Sequence, residues 1–183
     1  FEMREAVTVR DIATVVQRME MIRRITAELD GYLSQLGDDG RLLSLQVDDL
    51  LRGAASERTL VLRDYIADPI MLDDVEDKLS ALSGESLVDL SQIAESLGMS
   101  IYDPADLDEV VRPRGIRALA VIPRLPWRLI QQITERWPTL AELQQLTAED
   151  FQQVEGIGPY RAQTIVDHLR QRTNAAGDPN VSW

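Results

Sequence analysis

The sequence predicts an all-α chain, an elongated helical spine followed by a small helical domain, and three observations carry that prediction. Apolar residues recur at helical spacing through most of the 183 residues, and no β alternation competes with them. Thr/Asp capping patterns and Gly or Pro stops bound the apolar segments. A two-glycine hairpin, Val154-Glu155-Gly156-Ile157-Gly158-Pro159-Tyr160-Arg161-Ala162, interrupts the last helical pattern, and a weaker copy lies 32 residues earlier.

The first helix starts at Thr8-Val9-Arg10-Asp11, a capping-box pattern, and is expected to stop at Gly37. Its apolar positions Ile12, Val15, Val16, Met19, Ile22, Ile25, Leu29, Tyr32, Leu33 and Leu36 form one continuous stripe. At 1.5 Å per residue it extends roughly 40 Å, a strut in proportion. The stripe either packs on the chain's own later helices or serves self-association. Further helices are expected at Leu42 to Leu51, Glu57 to Ile66, Leu72 to Leu82 and Ser86 to Leu97, separated by Gly53, Asp68-Pro69, Gly84 and Gly98. The acidic run Asp73-Asp74-Val75-Glu76-Asp77 lacks the spaced oxygen ligands and central glycine of a calcium loop and reads as a solvated, helix-starting face. Asp103-Pro104 and Arg112-Pro113-Arg114-Gly115 punctuate the passage to the second part. Spans of 1–110, 111–173 and a disordered tail at 174–183 follow, with no role inferred for Trp183.

In the hairpin, Thr147 and Asp150 form a capping pattern upstream, while Ala162, Ile165, Val166 and Leu169 continue the helix downstream. Glycines at 156 and 158 tolerate positive φ and carry no Cβ to hold a sugar-phosphate strand away. Pro159 suits the first turn of the next helix, whose free amides and positive dipole end attract an anionic oxygen. Arg161 adds a charge-assisted bond. None of these contacts reads a base edge, so the expected binding is sequence-independent. The segment resembles the helix-hairpin-helix motif of DNA-repair and junction-binding proteins, with Val154, Gly156, Ile157, Gly158 and Ala162 matching it. Tyr160 departs, standing where many such motifs place a lysine. The plain alternative is a glycine-capped turn that touches nothing. A dinucleotide fingerprint would need a preceding strand and a third glycine.

Adding 32 to Ile122, Leu125, Ile130 and Ile133 gives Val154, Ile157, Ala162 and Ile165, so the earlier hairpin keeps the apolar frame. Arg124 and Pro126 replace the two glycines, which degrades the amide cradle. Arg124 and Arg128 reach phosphate or are simply solvated. Trp127 and Trp137, beside helical apolar positions, are expected to pack rather than stack on bases.

Charge follows the same division. The chain's net charge is −12, with 10 Lys and Arg against 24 Asp and Glu in residues 1–111, and 9 against 6 in residues 112–172. A basic end on an acidic body binds DNA locally, with modest and salt-sensitive affinity. The chain has no cysteine, which fits a reducing compartment, and no apolar run near the roughly 20 residues of a membrane span. Soluble, cytoplasmic and nucleoid-associated is the expectation, with no membrane partner. Catalytic constellations are scarce: no cysteine, one histidine and no phosphate-binding Gly-Lys loop. His168 is expected at the surface or a packing edge rather than on a metal.

A closer resemblance rests on several segments together. Arg18-Met19-Glu20-Met21-Ile22-Arg23-Arg24-Ile25, the stretch Tyr32 to Gln46, and Leu62-Arg63-Asp64-Tyr65-Ile66 resemble the helical spine of the bacterial DNA-integrity scanning diadenylate cyclases. Ile122-Pro123-Arg124-Leu125-Pro126 and Val154 to Gly158 follow in the order of that family's carboxy-terminal helix-hairpin-helix domain. The resemblance implies a parent that condenses two ATP into cyclic di-AMP with a divalent metal such as Mg2+ or Mn2+, assembles as an octamer and is suppressed by branched DNA. The family's Asp-Gly-Ala and Arg-His-Arg catalytic motifs are not found in this sequence. With its opening at Phe1-Glu2-Met3, the chain is expected to be a catalytically silent piece with no cofactor of its own. Two readings result. One is a module binding branched DNA through Gly156, Ile157, Gly158, Tyr160 and Arg161, helped by Arg124 and Arg128. The other is an oligomerisation scaffold with negligible DNA affinity.

Overall fold

A computed structural model describes residues 7–66 and 71–175. All regular elements among them are helical, apart from an isolated antiparallel bridge between Thr8 and Val110. The chain divides into two compact units, Phe1–Val111 and Arg112–Trp183.

In the first unit, α1 (Val9–Leu33) is capped reciprocally: the Asp11 amide donates to Thr8 Oγ1 at 3.3 Å and the Thr8 amide donates to Asp11 Oδ2 at 2.8 Å. A 3-10 turn, Ser34–Leu36, ends it, and the chain reverses into α2 (Gly37–Tyr65). A Cβ at Gly40 would fall on the Leu33 carbonyl oxygen, so the close approach of α2 to the end of α1 depends on that glycine. α2 runs unbroken for 29 residues, where the sequence suggests two helices separated at Gly53. An interior glycine costs only about 1 kcal/mol against alanine, which a long helix packed along its neighbour absorbs.

The core of this unit gathers at one end of the α1/α2 pair. Val9, Ile12, Ala13 and Val16 meet Val61, Leu62 and Ile66 of the returning chain, then Leu72, Val75 and Leu79 of α3 (Leu72–Ala81). Ile93, Ala94 and Leu97 of α4 (Leu90–Ser96) and its C-cap complete it. The expected helix from Ser86 to Leu97 is split: a 3-10 turn spans Ser86–Val88, and Asp89 accepts from the Ser91 amide at 2.9 Å to start α4 afresh. The two ends of the unit are tied together, Val9 N to Glu109 O and Val111 N to Val7 O at 2.9 Å each, with Arg10 paired to Asp108.

The apolar stripe of α1 is buried over only part of its length. Ile12 and Val16 are in the core, but Ile22, Ile25, Leu29, Tyr32 and Leu36 are exposed, as are Leu42, Leu43 and Leu45 on α2. Helices α3 and α4 supply core partners only near the other end.

Between these regions lies a buried ion cluster that sequence reading did not anticipate. The Glu20 carboxylate, with no exposed surface, accepts from Arg23 Nη2 at 2.6 Å, Arg24 Nε at 3.0 Å and Arg58 Nη2 at 3.2 Å. Burial pushes its pKa up, but the hydrogen bonds from Arg23 and Arg24 and the charges of Arg23 and Arg58 outweigh that and hold it below the ordinary carboxylate range. Arg58 also donates to Glu76 at 3.1 Å, so one member of the acidic run is recruited into the cluster rather than only solvated.

The second unit contains α5 (Ile116–Ala120), α6 (Trp127–Arg136), α7 (Leu140–Leu143), α8 (Ala148–Phe151) and α9 (Pro159–Ala175). Its core includes Leu119, Ile133, Leu143, Phe151 and Ile165, all at 1% exposure or less. Capping boxes at Thr139/Glu142 and Thr147/Asp150 start the two short helices. α9 continues through Ala175, two residues into the segment expected as tail. Residues 176–183, Trp183 among them, and Asp68-Pro69 lie outside the described residues.

Candidate nucleic-acid interface

The 32-residue repeat is present in the backbone as well as in the apolar frame. In the later hairpin the Ile157 amide donates to Val154 O at 3.1 Å, and in the earlier one the Leu125 amide donates to Ile122 O at 3.3 Å. Gly156 has φ of 92°, and Arg124, its counterpart, takes φ of 61°, the only non-glycine with positive φ among the described residues. Each hairpin then leads into a helix, α6 from Trp127 and α9 from Pro159. The earlier copy therefore keeps the hairpin geometry at the cost of left-handed backbone at an arginine, a strain of about 1–2 kcal/mol.

The two glycines of the later hairpin do different work. Gly156 needs its left-handed conformation, and a Cβ there would also meet Leu129 Cδ2 at 3.4 Å. Gly158 does not have positive φ; a Cβ on it would meet nothing within 4 Å and would stand in open space. That space is a groove of about 690 Å³ lined by both hairpins: Ile122, Pro123 and Arg124 from the earlier, Gly158, Pro159, Tyr160 and Arg161 from the later, and Thr164 one turn along α9. The first helical bond of α9 runs from Ala162 N to Gly158 O at 3.0 Å, which leaves the amides of Gly158, Tyr160 and Arg161 outside the helical ladder at its positive end. Arg161 Nη1 donates to Gly156 O at 2.6 Å, holding the guanidinium against the hairpin with its other N–H groups uncommitted to that bond.

Of the residues singled out by sequence, Arg124, Gly158, Tyr160 and Arg161 share this groove. Gly156 shapes the turn behind it. Ile157 is an apolar anchor at 5% exposure, its amide already used within the hairpin, so it supports the site without facing it. Arg128 is exposed on the first turn of α6 but does not line the groove. Pro123 and Thr164 were not singled out. The repeat offset could have flagged the first, and helical spacing from Tyr160 the second. Trp137 packs edge-to-face on Phe151, centroids 5.8 Å apart, with the Arg136 guanidinium over its ring at 4.9 Å. Trp127 is partly exposed beside the earlier hairpin.

Asp150 fixes the approach to the later hairpin. Hydrogen bonds from the Thr147 amide and then its hydroxyl hold the Asp150 carboxyl below the usual range. Among the described residues no group of three or more His, Cys, Asp or Glu is placed to hold a metal ion. No helix among them is long and apolar enough to cross a membrane.

A family profile described as the DisA bacterial checkpoint controller linker region matches residues 1–105. The chain is 45% identical over 173 residues to the DNA integrity scanning protein DisA of Acidothermus cellulolyticus, covering 92% of this chain and 46% of that protein. The proteins of the same name from Streptomyces coelicolor and Kineococcus radiotolerans are 42% and 41% identical, again over 92% of this chain. The chain spans less than half the length of these relatives.

Proposed function

Because the chain belongs to the family of the DisA bacterial checkpoint controller linker region, we propose that it is the DNA-gripping, non-catalytic part of a DNA-integrity scanning protein. It binds branched DNA by its phosphates without reading sequence. The observation that carries this reading is the groove in which Gly158, with no Cβ in the way, stands beside Arg124 and Arg161. Amides at the start of α9 and two guanidinium groups there suit a sugar-phosphate strand. In the longer protein, this grip regulates synthesis of cyclic di-AMP from ATP, and ATP with Mg2+ or Mn2+ belongs to the remainder of that protein. Association with the nucleoid follows from the same grip.

The test is a titration of this chain against a labelled four-way junction and a plain duplex of equal length, followed by anisotropy at low and near-physiological salt. Junction binding that weakens with salt is the expected result. No binding to either DNA by a folded sample overturns the reading.

A scaffold function is favoured by a separate observation, the exposed Ile25, Leu29, Tyr32, Leu36, Leu42 and Leu45 on the α1/α2 pair. These large apolar side chains, left uncovered along α1, the turn and α2, are available to an interaction partner. Under that reading copies of the chain associate through this region, towards the octamer of the longer protein. Light scattering then gives a mass that rises with concentration, and a monomer throughout rejects it.

A further inference from the structure

Tyr160 is 87% exposed, a large aromatic side chain left in solvent at the start of a 17-residue helix. Such a ring gains nothing for the fold in this position. It stands between two hollows. On one side is the groove with Arg124, Gly158 and Arg161. On the other is a second, polar hollow of about 310 Å³, whose lining includes Gln163, Asp167, His168 and Gln171. Tyr160 and Thr164 border both.

The chemistry of the two sides differs in a way that matches the two ends of a nucleotide. The first side offers guanidinium groups and helix-start amides, suited to phosphate. The second is lined by the amides of Gln163 and Gln171 and the Asp167 carboxylate, groups of the kind that meet a base edge, with Gln163 Nε2 donating to Asp167 Oδ1 at 2.8 Å, and its volume lies within the range of roughly 300–1,000 Å³ typical of small-molecule pockets. An exposed ring between them is a face on which a base stacks, a contact that tolerates any base.

We infer that Tyr160 is a specificity-determining residue for unpaired nucleotides: the phosphate of an unstacked nucleotide lies in the arginine groove while its base folds over the Tyr160 ring into the polar hollow. The inference rests on the DNA-binding reading above and deepens it. Phosphate contacts do not touch the base and carry no information on its identity. A ring that captures a free base separates an unpaired strand from a paired one, because a paired base must first be taken out of its stack at a cost of a few kcal/mol.

The experiment uses this chain and two DNAs of equal length, a fully paired duplex and one carrying a single unpaired 2-aminopurine. Wild-type protein is expected to bind the second about tenfold more tightly, within the range of one base–aromatic stack, and to change the 2-aminopurine fluorescence. Tyr160→Ala is expected to lose that preference and the fluorescence change, its affinity falling further on the DNA with the unpaired base than on the paired duplex. Tyr160→Phe is expected to keep both, since stacking needs the ring and not the hydroxyl. Circular dichroism checks that the variants are folded. Equal binding of the two DNAs by wild type, or an equal loss on both in Tyr160→Ala, overturns this inference and leaves the DNA-binding reading standing. No binding of either DNA by folded wild type overturns both.

Discussion

Gly158→Val separates the fold of the hairpin from its use. An added Cβ at this position meets no atom within 4 Å, and the backbone is not left-handed, so the side chain starts into open space on an unstrained backbone. The folding penalty is that of a β-branched residue at a helix start, about 1 kcal/mol. The binding penalty is larger. On the proposed reading, the isopropyl group occupies the space through which a phosphate would reach the amides of Gly158, Tyr160 and Arg161. Hydrogen bonds to a charged group contribute about 1.5–3 kcal/mol each. Losing two at the lower figure amounts to about 3 kcal/mol, or roughly a hundredfold in affinity. Anisotropy with a labelled junction measures that loss, and a urea melt of the same sample measures the fold. Junction affinity within about threefold of wild type, in a folded variant, would show that phosphate does not enter between the hairpins. Gly156→Ala provides the contrast: it meets Leu129 Cδ2 and forces alanine to φ of 92°, so it is expected to lower stability first and binding only as a consequence.

Arg124→Gly should move stability and binding in opposite directions. It relieves left-handed backbone at φ of 61°, raising stability by about 1 kcal/mol, and removes a groove cation, lowering the slope of log K against log salt by about one. Glu20→Ala removes a fully buried acceptor from Arg58, whose own side chain is only 9% exposed. The expected cost is about 3 kcal/mol in a urea melt, the low end for a broken buried pair because Arg23 and Arg24 reach solvent. For pH, Asp11, Asp106 and Asp150 all have folded pKa values below the ordinary one, through hydrogen bonds from Thr8, Asp103 with Tyr102, and Thr147 respectively. A depressed carboxylate contributes stability that is complete above the unfolded value of about 3.9 and is lost as pH falls through the folded one. The stability gap between wild type and Asp150→Asn is therefore expected to be constant near neutrality and to close in acid. A gap that widens on acidification would contradict the sign.

What could be read from the chain and what could not divides along a physical line. Capping boxes at Thr8/Asp11 and Thr147/Asp150 are local, three residues apart, and both form as the spacing implies. The hairpin repeat is likewise visible because apolar residues must keep their register for the two halves to share a core. Helix breaks at single glycines were misread at Gly53, since a glycine's propensity cost is small and packing along a neighbouring helix overrides it. The Glu20 cluster joins residues 38 and 56 positions apart through Arg58 and through Ser80, whose carbonyl accepts from Arg24. No spacing rule on one helix reports such pairings. The groove was half legible. Gly158 and Arg161 announce themselves by type, whereas the proximity of Arg124 is a product of tertiary packing.

The two proposed functions, DNA grip and scaffold, reinforce each other on energetic grounds. Residues 112–172 carry 9 basic against 6 acidic side chains, too small an excess for tight binding by one copy near physiological salt. The acidic first unit adds weak repulsion beyond a Debye length of about 8 Å. Affinity can instead come from number: copies joined through the exposed apolar residues of α1 and α2 present several grooves at once, and a second engagement on the same DNA is then governed by effective concentration. Avidity of this kind depends on geometry, because the linked grooves add to one another only on a DNA whose arms they can reach together. It follows that the preference for branched over linear DNA should grow with the degree of self-association. Ile25→Asp with Leu29→Asp tests this, since both side chains are exposed and their replacement leaves the core intact. The double variant is expected to bind a single groove's worth of DNA with the Tyr160 preference retained, but to lose the additional advantage of a junction over a duplex. An unchanged junction preference in a strictly monomeric variant would place the whole of that preference in one hairpin domain.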